Sequence, residues 1–267
     1  MSNIMGFVKP INLLLAAALV VSTPVLAQTP EEQGLEISQT AKQRDLGWAD
    51  MQADMLMVLR NKQGQESTRE IRLKSLEQET DGDKSLTVFD KPRDVKGTAF
   101  LSFSHAVGAD DQWLYLPALK RVKRIASRNK SGPFMGSEFA YEDLSSFEIE
   151  KYTYRYLKDE ACEGGDCFVV EQFPVDKNSG YTRRIVWLDK AEYRIYKVEF
   201  YDRKNSLLKT LTFSGYQQYL DRYWRADLQQ MQNHQNGKST DLQWSGYQFQ
   251  VGLTDSDFNK NSLKRAR

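Results

Sequence analysis

The sequence predicts a mainly β protein of the α+β class, in which an antiparallel meander curls into a barrel or half-barrel. Aromatic residues make up 12% of the 267 residues, and such side chains suit a pleated, half-buried sheet surface. From residue 54 onward, short runs rich in Val, Ile, Thr and aromatic residues alternate with turn-forming residues. A parallel α/β sheet would need helical segments of about 10–15 residues between its strands, and the sequence lacks them.

The alternating runs can be assigned one by one. Turn signals such as Asp81-Gly82-Asp83, Asn178-Ser179-Gly180 and Asn236-Gly237 separate them. The predicted strands cover residues 54–60, 67–79, 84–90, 98–104, 112–117, 121–126, 148–157, 167–174, 181–189, 193–203, 206–217, 222–231 and 239–250.

Helices are predicted at three places only. The main one covers residues 31–50, where apolar residues recur at spacings near three and four. A short helix is predicted from Ala140 to Ser146, and Asp255 is predicted to cap a last turn of helix before Leu263.

The first 27 residues have the features of a secretory signal peptide. Lys9 is their only charged side chain, an apolar run from Ile11 to Val21 follows, and small residues precede the predicted cleavage site after Ala27. The run is shorter than the ~20 apolar residues that span a bilayer, although an uncleaved anchor is the alternative. We therefore expect a single mature domain over residues 28–267, outside the cytoplasm.

The charge balance and the motifs exclude several classes of function. Lys and Arg number 37 against 36 Asp and Glu, so the whole chain has no electrostatic reason to bind nucleic acid. Nucleophile elbows, zinc-protease helices, Walker loops and dinucleotide fingerprints are missing from the sequence. His105 and His234 have no neighbouring Ser or Cys to activate. We expect no enzymatic activity, no cofactor and no metal site.

The two cysteines, Cys162 and Cys167, flank the turn-forming residues 163–166. In an oxidising compartment this spacing favours a disulfide that pins a hairpin. A metal site is a poorer alternative because two Cys supply half of a tetrahedral ligand set, and a pair of free thiols is the second alternative.

A basic segment interleaved with apolar residues is the remaining sequence feature, and its cations are Lys120, Arg121, Lys123 and Arg124. Lys and Arg at this density are used to block pairing at a sheet edge. They could equally form a docking site for an anionic partner or a phospholipid head group. The sequence does not separate these two interpretations.

The stretch from Asp110 to Leu144 resembles the LolA-like family of periplasmic outer membrane lipoprotein-sorting proteins. The matching elements are QWLYLP (112–117), KRVKRI (120–125), FMGS (134–137) and YEDL (141–144). RDVKGT (93–98), Tyr201-Asp202 and Asp257-Phe258 fit the same pattern, so the resemblance extends over most of residues 33–265. In its branch the sequence is similar to proteins encoded beside RND/MMPL-type exporters.

The resemblance implies an incomplete, strongly curved β-barrel with helices over its mouth, located in the periplasm. It implies a carrier that holds acyl chains of a lipid or lipoprotein, with an RND/MMPL-type inner-membrane exporter as partner, and we expect a monomer. The residues predicted to form the cavity and a lid are Leu101, Phe103, Trp113, Tyr115, Phe134, Met135 and Phe139. The first four could instead be core residues under the helices.

Three functions therefore remain open from the sequence. The first is a carrier between an inner-membrane exporter and the outer membrane. The second is an accessory subunit that docks on the exporter through the basic segment. The third, a periplasmic hydrolase, is disfavoured because no nucleophile–base pair is visible.

Overall fold

A computed structural model describes residues 27–163 and 165–264 of the chain. Apart from Ala27, the predicted signal peptide lies outside the described residues, as does Gly164 of the predicted hairpin turn.

The described chain consists of an N-terminal helix, thirteen strands and a short C-terminal helix. The helices are α1 (Pro30–Arg44) and α2 (Lys260–Leu263). The strands are β1 (Asp50–Arg60), β2 (Glu66–Leu76), β3 (Lys84–Lys91), β4 (Ala99–Phe103), β5 (Asp111–Leu116), β6 (Arg121–Ile125), β7 (Tyr152–Cys162), β8 (Gly165–Pro174), β9 (Tyr181–Asp189), β10 (Ile195–Asp202), β11 (Leu207–Tyr219), β12 (Tyr223–Asn233) and β13 (Ser239–Phe249).

All thirteen strands form one antiparallel sheet, which confirms the predicted fold class. The spatial order is β6-β5-β4-β3-β2-β1-β13-β12-β11-β10-β9-β8-β7, so the sheet does not close and β6 and β7 are its two edges. These two strands are consecutive in sequence. The chain that links them, residues 126–151, is called the crossing segment below, because it runs over one face of the sheet from edge to edge.

The crossing segment and α1 cover the same face of the sheet, which we call the inner face. Alternation along the strands sends successive side chains to opposite faces. Phe100 of β4 and Leu114 of β5 belong to the large inner cluster, whereas their neighbours Leu101 and Trp113 belong to a smaller outer cluster. Phe258 and Leu263 of the C-terminal segment cover that outer cluster.

Helix α1 begins at a capping box in which the Thr29 hydroxyl accepts from the Glu32 backbone N–H and the Glu32 carboxylate accepts from the Thr29 N–H. Gly34 lets the helix approach β7, since a Cβ there would lie 2.6 Å from the backbone nitrogen of Tyr156. The helix ends at Arg44, earlier than the predicted residue 50, because Gly47 has a φ of +100° and turns the chain into β1.

The other two predicted helices differ from the structure in detail. Residues 140–146 contain only a 3₁₀ turn, Tyr141–Leu144. Near the C-terminus, Thr254 is the N-cap of a 3₁₀ turn that Asp255 begins, so the cap lies one residue before the predicted position.

The disulfide prediction is confirmed. Cys162 and Cys167 are bonded, with 5.8 Å between their Cα atoms, and they join the end of β7 to the start of β8. The bridge therefore closes the hairpin at one edge of the sheet.

Candidate functional site

A large cavity lies between the inner face of the sheet, α1 and the crossing segment. Its volume is about 1200 Å³, which exceeds the range of about 300–1,000 Å³ that is usual for small-molecule sites. Strands from both halves of the sheet and the C-terminal half of α1 contribute to its wall. A cavity of this size is the best candidate for a ligand site in the described part of the chain.

The sheet contributes a mostly apolar wall to the cavity. Alternation places every second residue of a strand on the inner face, as with Met55 and Met57 in β1 or Val198 and Phe200 in β10. The other apolar residues that line the wall include Leu73, Val186, Leu188, Leu211, Phe213, Leu242 and Trp244. Two methionines and several branched side chains make a surface that can adapt to ligands of different shape.

The crossing segment fills the inner face over β3, β4 and β5. The Phe134 ring lies 5.2 Å from the Phe100 ring and 5.8 Å from the Phe89 ring, centroid to centroid, and it contacts Tyr141 edge-on at 5.6 Å. Phe134 and Phe139 border the cavity from this side. The segment therefore covers one half of the inner face and forms part of the cavity wall beside the other half.

A buried polar network holds the crossing segment on the sheet. Lys209 of β11 donates to the Asp143 carboxylate at 2.7 Å and to the Glu138 carbonyl at 2.8 Å. The Tyr181 hydroxyl donates to the other Asp143 oxygen at 2.8 Å. Lys209 and Asp143 are only 4% and 6% exposed at their side chains. Breaking one partner would leave an uncompensated buried charge, so the segment is firmly attached here.

Glu142 forms a second attachment beside Asp143. Its carboxylate accepts from the Gly180 backbone N–H and from the Ser179 hydroxyl, both at 2.8 Å. Burial raises the pKa of Glu142, and the neighbouring Asp143 charge raises it further, whereas the two hydrogen bonds lower it.

Lys42 of α1 ties the helix to the crossing segment. Its ammonium group donates to the Phe147 carbonyl at 2.9 Å and lies 3.1 Å from the Glu148 carboxylate. Asp83, the residue before β3, is close enough to Lys42 and Glu148 to interact with both charges, and its burial raises its pKa to about 6. Ionic contacts therefore join α1 to the crossing segment, in addition to the inner apolar cluster that includes Ile37, Phe134 and Phe139.

Six of the seven predicted cavity and lid residues separate into two groups. Phe134 and Phe139 line the cavity. Leu101, Trp113, Phe103 and Tyr115 lie instead in or against the outer cluster under Phe258 and Leu263. This corrects their predicted placement, and the reason is the strand alternation, which sends Phe100 and Leu114 inward and their neighbours outward.

The predicted lid also differs from the structure. The sequence predicts that Phe134 and Met135 belong to the cavity and its lid, but Phe134 is only 1% exposed and packs in the inner core, while Met135 is partly buried against that core. The turn between Pro133 and Gly136 directs the aromatic ring toward the sheet because the Phe134 and Phe139 backbones pair across it.

The predicted basic segment forms the edge strand β6 and the turn before it. Lys120, Arg121, Lys123 and Arg124 are all exposed, and Arg124 forms an ion pair with Asp111. Their position agrees with the edge-blocking interpretation of the sequence, and it also leaves the four cations accessible to a partner.

Sequence reasoning missed most of the cavity wall, which strands β9 to β13 supply. The sequence marks these wall residues only by polar–apolar alternation, for example Val198-Glu199-Phe200 in β10. Such alternation predicts one buried face for each strand, but it does not show that the buried face borders a cavity.

The described residues match neither the pattern of a metal site nor that of a membrane-spanning helix. No group of three or more His, Cys, Asp or Glu side chains there is placed to hold a metal ion. The described helices are also too short or too polar to cross a membrane. His105 instead lies 2.7 Å from Asp81, and His234 lies 2.8 Å from the Thr210 hydroxyl.

The fold is shared with proteins of known structure. A domain from Vibrio parahaemolyticus, described as a candidate outer membrane lipoprotein-sorting protein, is 69% identical over 88% of this chain and all of that chain, with a TM-score of 0.87. The chain belongs to this family. The resemblance to LolA-like lipoprotein-sorting proteins is thereby confirmed, whereas no comparison tests the branch associated with RND/MMPL-type exporters.

Further comparisons show the same fold in other proteins. A DUF1329 family protein from Desulfovibrio piger is 29% identical, with a TM-score of 0.83, over 88% of this chain and all of that chain. A LolA superfamily protein from Nitrosomonas europaea has the same coverage, 20% identity and a TM-score of 0.69, which shows the fold alone. A family model described as "Uncharacterized protein" matches residues 81–265. No curated protein matches the sequence.

Proposed function

We propose that the protein is a periplasmic carrier that binds the acyl chains of a lipid or lipoprotein in the inner cavity. The observation that carries the proposal is the cavity itself, with its volume of about 1200 Å³ and its apolar wall. Burying an acyl chain is worth about 0.8 kcal/mol per CH₂, so a carried lipid needs a sheltered apolar surface of this extent. The family's lipoprotein-sorting role supports the same ligand class.

The proposal includes the processing and the route of the carrier. Residues 1–27 are removed as a signal peptide, and residues 28–267 form a single mature domain. The carrier moves its ligand between an RND/MMPL-type inner-membrane exporter and the outer membrane as a monomer, without enzymatic activity and without a cofactor. Protein isolated from the periplasm should begin at Gln28 in an intact-mass measurement.

Native mass spectrometry tests ligand binding directly. Wild-type protein purified from the periplasm should carry adducts that organic extraction identifies as acyl lipid. Ala226→Trp places a large side chain in the cavity wall and should remove most of the adduct. Ala161→Trp, at an exposed position of β7, is the matched control and should keep it.

Melting curves must accompany this comparison, because overpacking a wall residue costs about 1–3 kcal/mol. A folded Ala226→Trp variant that retains its full lipid load would contradict the cavity as the binding site. Wild-type protein without any lipid adduct would contradict the carrier itself.

The second candidate is a non-carrying accessory subunit that docks on an RND/MMPL-type transporter. The exposed cations of β6 and its preceding turn, Lys120, Arg121, Lys123 and Arg124, support this alternative. It predicts that changing the four cations to Gln abolishes co-purification with the transporter, while an empty cavity in the wild type would be normal.

A further inference from the structure

The cations around the cavity differ in one respect that points to its ligand. Six of the eight Lys and Arg residues that line the cavity have a carboxylate within 4.0 Å. The pairs are Lys42–Glu148, Arg44–Glu192, Lys130–Asp176, Lys151–Asp110, Arg194–Asp189 and Arg225–Asp45. Arg184 and Arg222 are the two without such a partner among the described residues, and only Arg184 belongs to the interior of the wall, since Arg222 is exposed at the rim.

Arg184 is held in a fixed position on the inner face. It alternates along β9 with Val186 and Leu188, which are core residues of that face. Its Nε donates to the side-chain oxygen of buried Gln172 at 2.6 Å. Its guanidinium lies 4.1 Å from the centroid of the Tyr152 ring and 5.3 Å from that of Phe147. The side chain is therefore preorganised before any ligand arrives.

The terminal nitrogens of Arg184, Nη1 and Nη2, remain available. Neither nitrogen donates a hydrogen bond to a described residue. The buried nitrogens without a partner are those of Arg69, Trp224 and Trp244, so the two terminal nitrogens of Arg184 are accessible at the cavity wall.

The carboxylates that share the surroundings of Tyr152 or Tyr154 with Arg184 are those of Glu142, Asp143, Glu148 and Glu150. Glu142 is engaged by Ser179 and Gly180, Asp143 by Lys209 and Tyr181, and Glu148 by Lys42. Glu150 is exposed and forms no ion pair with Arg184 within 4.0 Å.

A partly buried cation without a counter-charge is unfavourable unless a ligand supplies one. We propose that Arg184 binds the anionic group of an acyl ligand, a carboxylate or a phosphate, while the chain lies along the apolar wall beside Val186. The planar guanidinium fork matches both anions by paired hydrogen bonds. This inference rests on the proposed carrier function and narrows its ligand to amphiphiles whose anion lies next to the chain.

The test uses three amphiphiles with the same twelve-carbon chain: dodecanoate, dodecyl phosphate and dodecanol. Each is titrated, below its micellar concentration and at constant salt, against purified protein that holds a neutral fluorescent apolar probe. The carboxylate represents a free fatty acid and the phosphate represents a phospholipid head group. The alcohol has the chain without the charge.

Wild-type protein should bind at least one of the two anions about tenfold more tightly than dodecanol, since a hydrogen bond to a charged group is worth about 1.5–3 kcal/mol. Which anion binds more tightly identifies the source of the head group. Arg184→Gln should bring the anion to within about twofold of dodecanol and leave dodecanol itself unchanged. Arg184→Lys, which keeps the charge without the fork, should retain part of the preference.

Arg222→Gln is the matched control, because it removes the other unpaired cation of the cavity, at its rim. It should keep the preference for the anion. The inference is overturned if wild-type protein binds the anions and dodecanol equally, a result that does not depend on any variant folding. It is also overturned if a folded Arg184→Gln variant keeps the preference, since Arg184 then only covers Tyr152 and Phe147.

These outcomes are separate from failure of the carrier proposal. If dodecanol and both anions all fail to displace the probe from the wild type, the cavity does not hold acyl chains at all. If dodecanol binds but the anions have no advantage, the carrier proposal stands and the role of Arg184 falls.

Discussion

The two halves of the inner face are built from the same kind of strand and are used in different ways. Over β3, β4 and β5, aromatic side chains of the crossing segment pack directly on the sheet, with Phe134 between Phe89 and Phe100. Over β9 to β13, similar apolar side chains such as Val198 and Phe213 line the cavity instead. One half is therefore a closed core, and the other half presents apolar surface to an open space.

This difference shows how the fold separates stability from binding. Closely packed interiors stabilise a protein because each apolar group gains contacts on every side. A wall residue beside a cavity gains contacts on one side only, and a ligand can supply the remainder. The crossing segment, which is attached to Lys209 and Tyr181 through Asp143, determines which part of the inner face is covered and which part borders the cavity.

The largest effect should come from opening the filled half. Phe134→Ala removes a ring that is 1% exposed and contacts three other aromatic residues. We expect the free energy of unfolding to fall by about 3–5 kcal/mol, as for other buried Phe-to-Ala changes. Chemical denaturation with a linear extrapolation measures it.

Met135→Ala, at the next position, is the control for this change. Its side chain is only partly buried, so its loss should be about 1 kcal/mol or less. Equal losses for the two variants would show that the filled half is not a packed core and would remove the contrast between the halves.

The strands could be predicted from the sequence because their signals are local. Turn residues such as Asn236-Gly237 and the alternation of apolar residues place each strand without knowledge of its neighbours. The disulfide was equally local, since Cys162 and Cys167 flank one turn. All thirteen strands are found, although β7 begins at Tyr152 rather than at residue 148.

The two faces of β4 and β5 could not be assigned from the sequence. In β4, four successive residues from Ala99 are buried, so no alternation distinguishes the inner face from the outer one. The outer face is buried only because Phe258 and Leu263 return from the far end of the chain. The sequence therefore leaves open whether Trp113 and Leu101 lie in the cavity or in the core, and the structure places them under the C-terminal segment.

A smaller effect should appear at the boundary between the halves, where Asp83 lies near Lys42 of α1 and the carboxylate of Glu148. Burial raises the pKa of Asp83 to about 6, and Glu148 and Glu77 raise it while Lys42 lowers it. The folded pKa exceeds the unfolded value of about 3.9, so the folded state binds the proton more tightly. The resulting stabilisation is present below about pH 4 and is lost as the pH rises through 6.

Asp83→Asn should therefore stabilise the protein by about 1–2 kcal/mol at pH 8 and have little effect at pH 4. This free energy is smaller than the full pKa shift of Asp83 would give, because the side chain is partly exposed to solvent. Asp81→Asn is the control of opposite sign. A hydrogen bond from His105 lowers the pKa of Asp81 to about 2, so its loss should destabilise at neutral pH. If Asp83→Asn and the wild type have the same free energy of unfolding at both pH values, Asp83 is in contact with water rather than buried.

The smallest effect should come from the open half, at Trp244. This residue lines the cavity, and its indole N–H is buried without a hydrogen-bond partner in the described structure. Trp244→Phe removes that unsatisfied donor along with some apolar area. Because the two effects oppose each other, the free energy of unfolding should change by no more than about 0.5 kcal/mol.

Trp187→Phe is the matched control on the outer face, where the indole N–H donates to Glu160 at 3.2 Å. That variant should lose more stability than Trp244→Phe, because it breaks a hydrogen bond to a charged group. Delipidated protein is needed for both measurements, since a bound ligand would add apolar contacts to the cavity wall that Trp244 lines. If Trp244→Phe costs as much as Trp187→Phe without lipid, the open half is packed as tightly as the outer face, and the division of the sheet into core and binding surface fails.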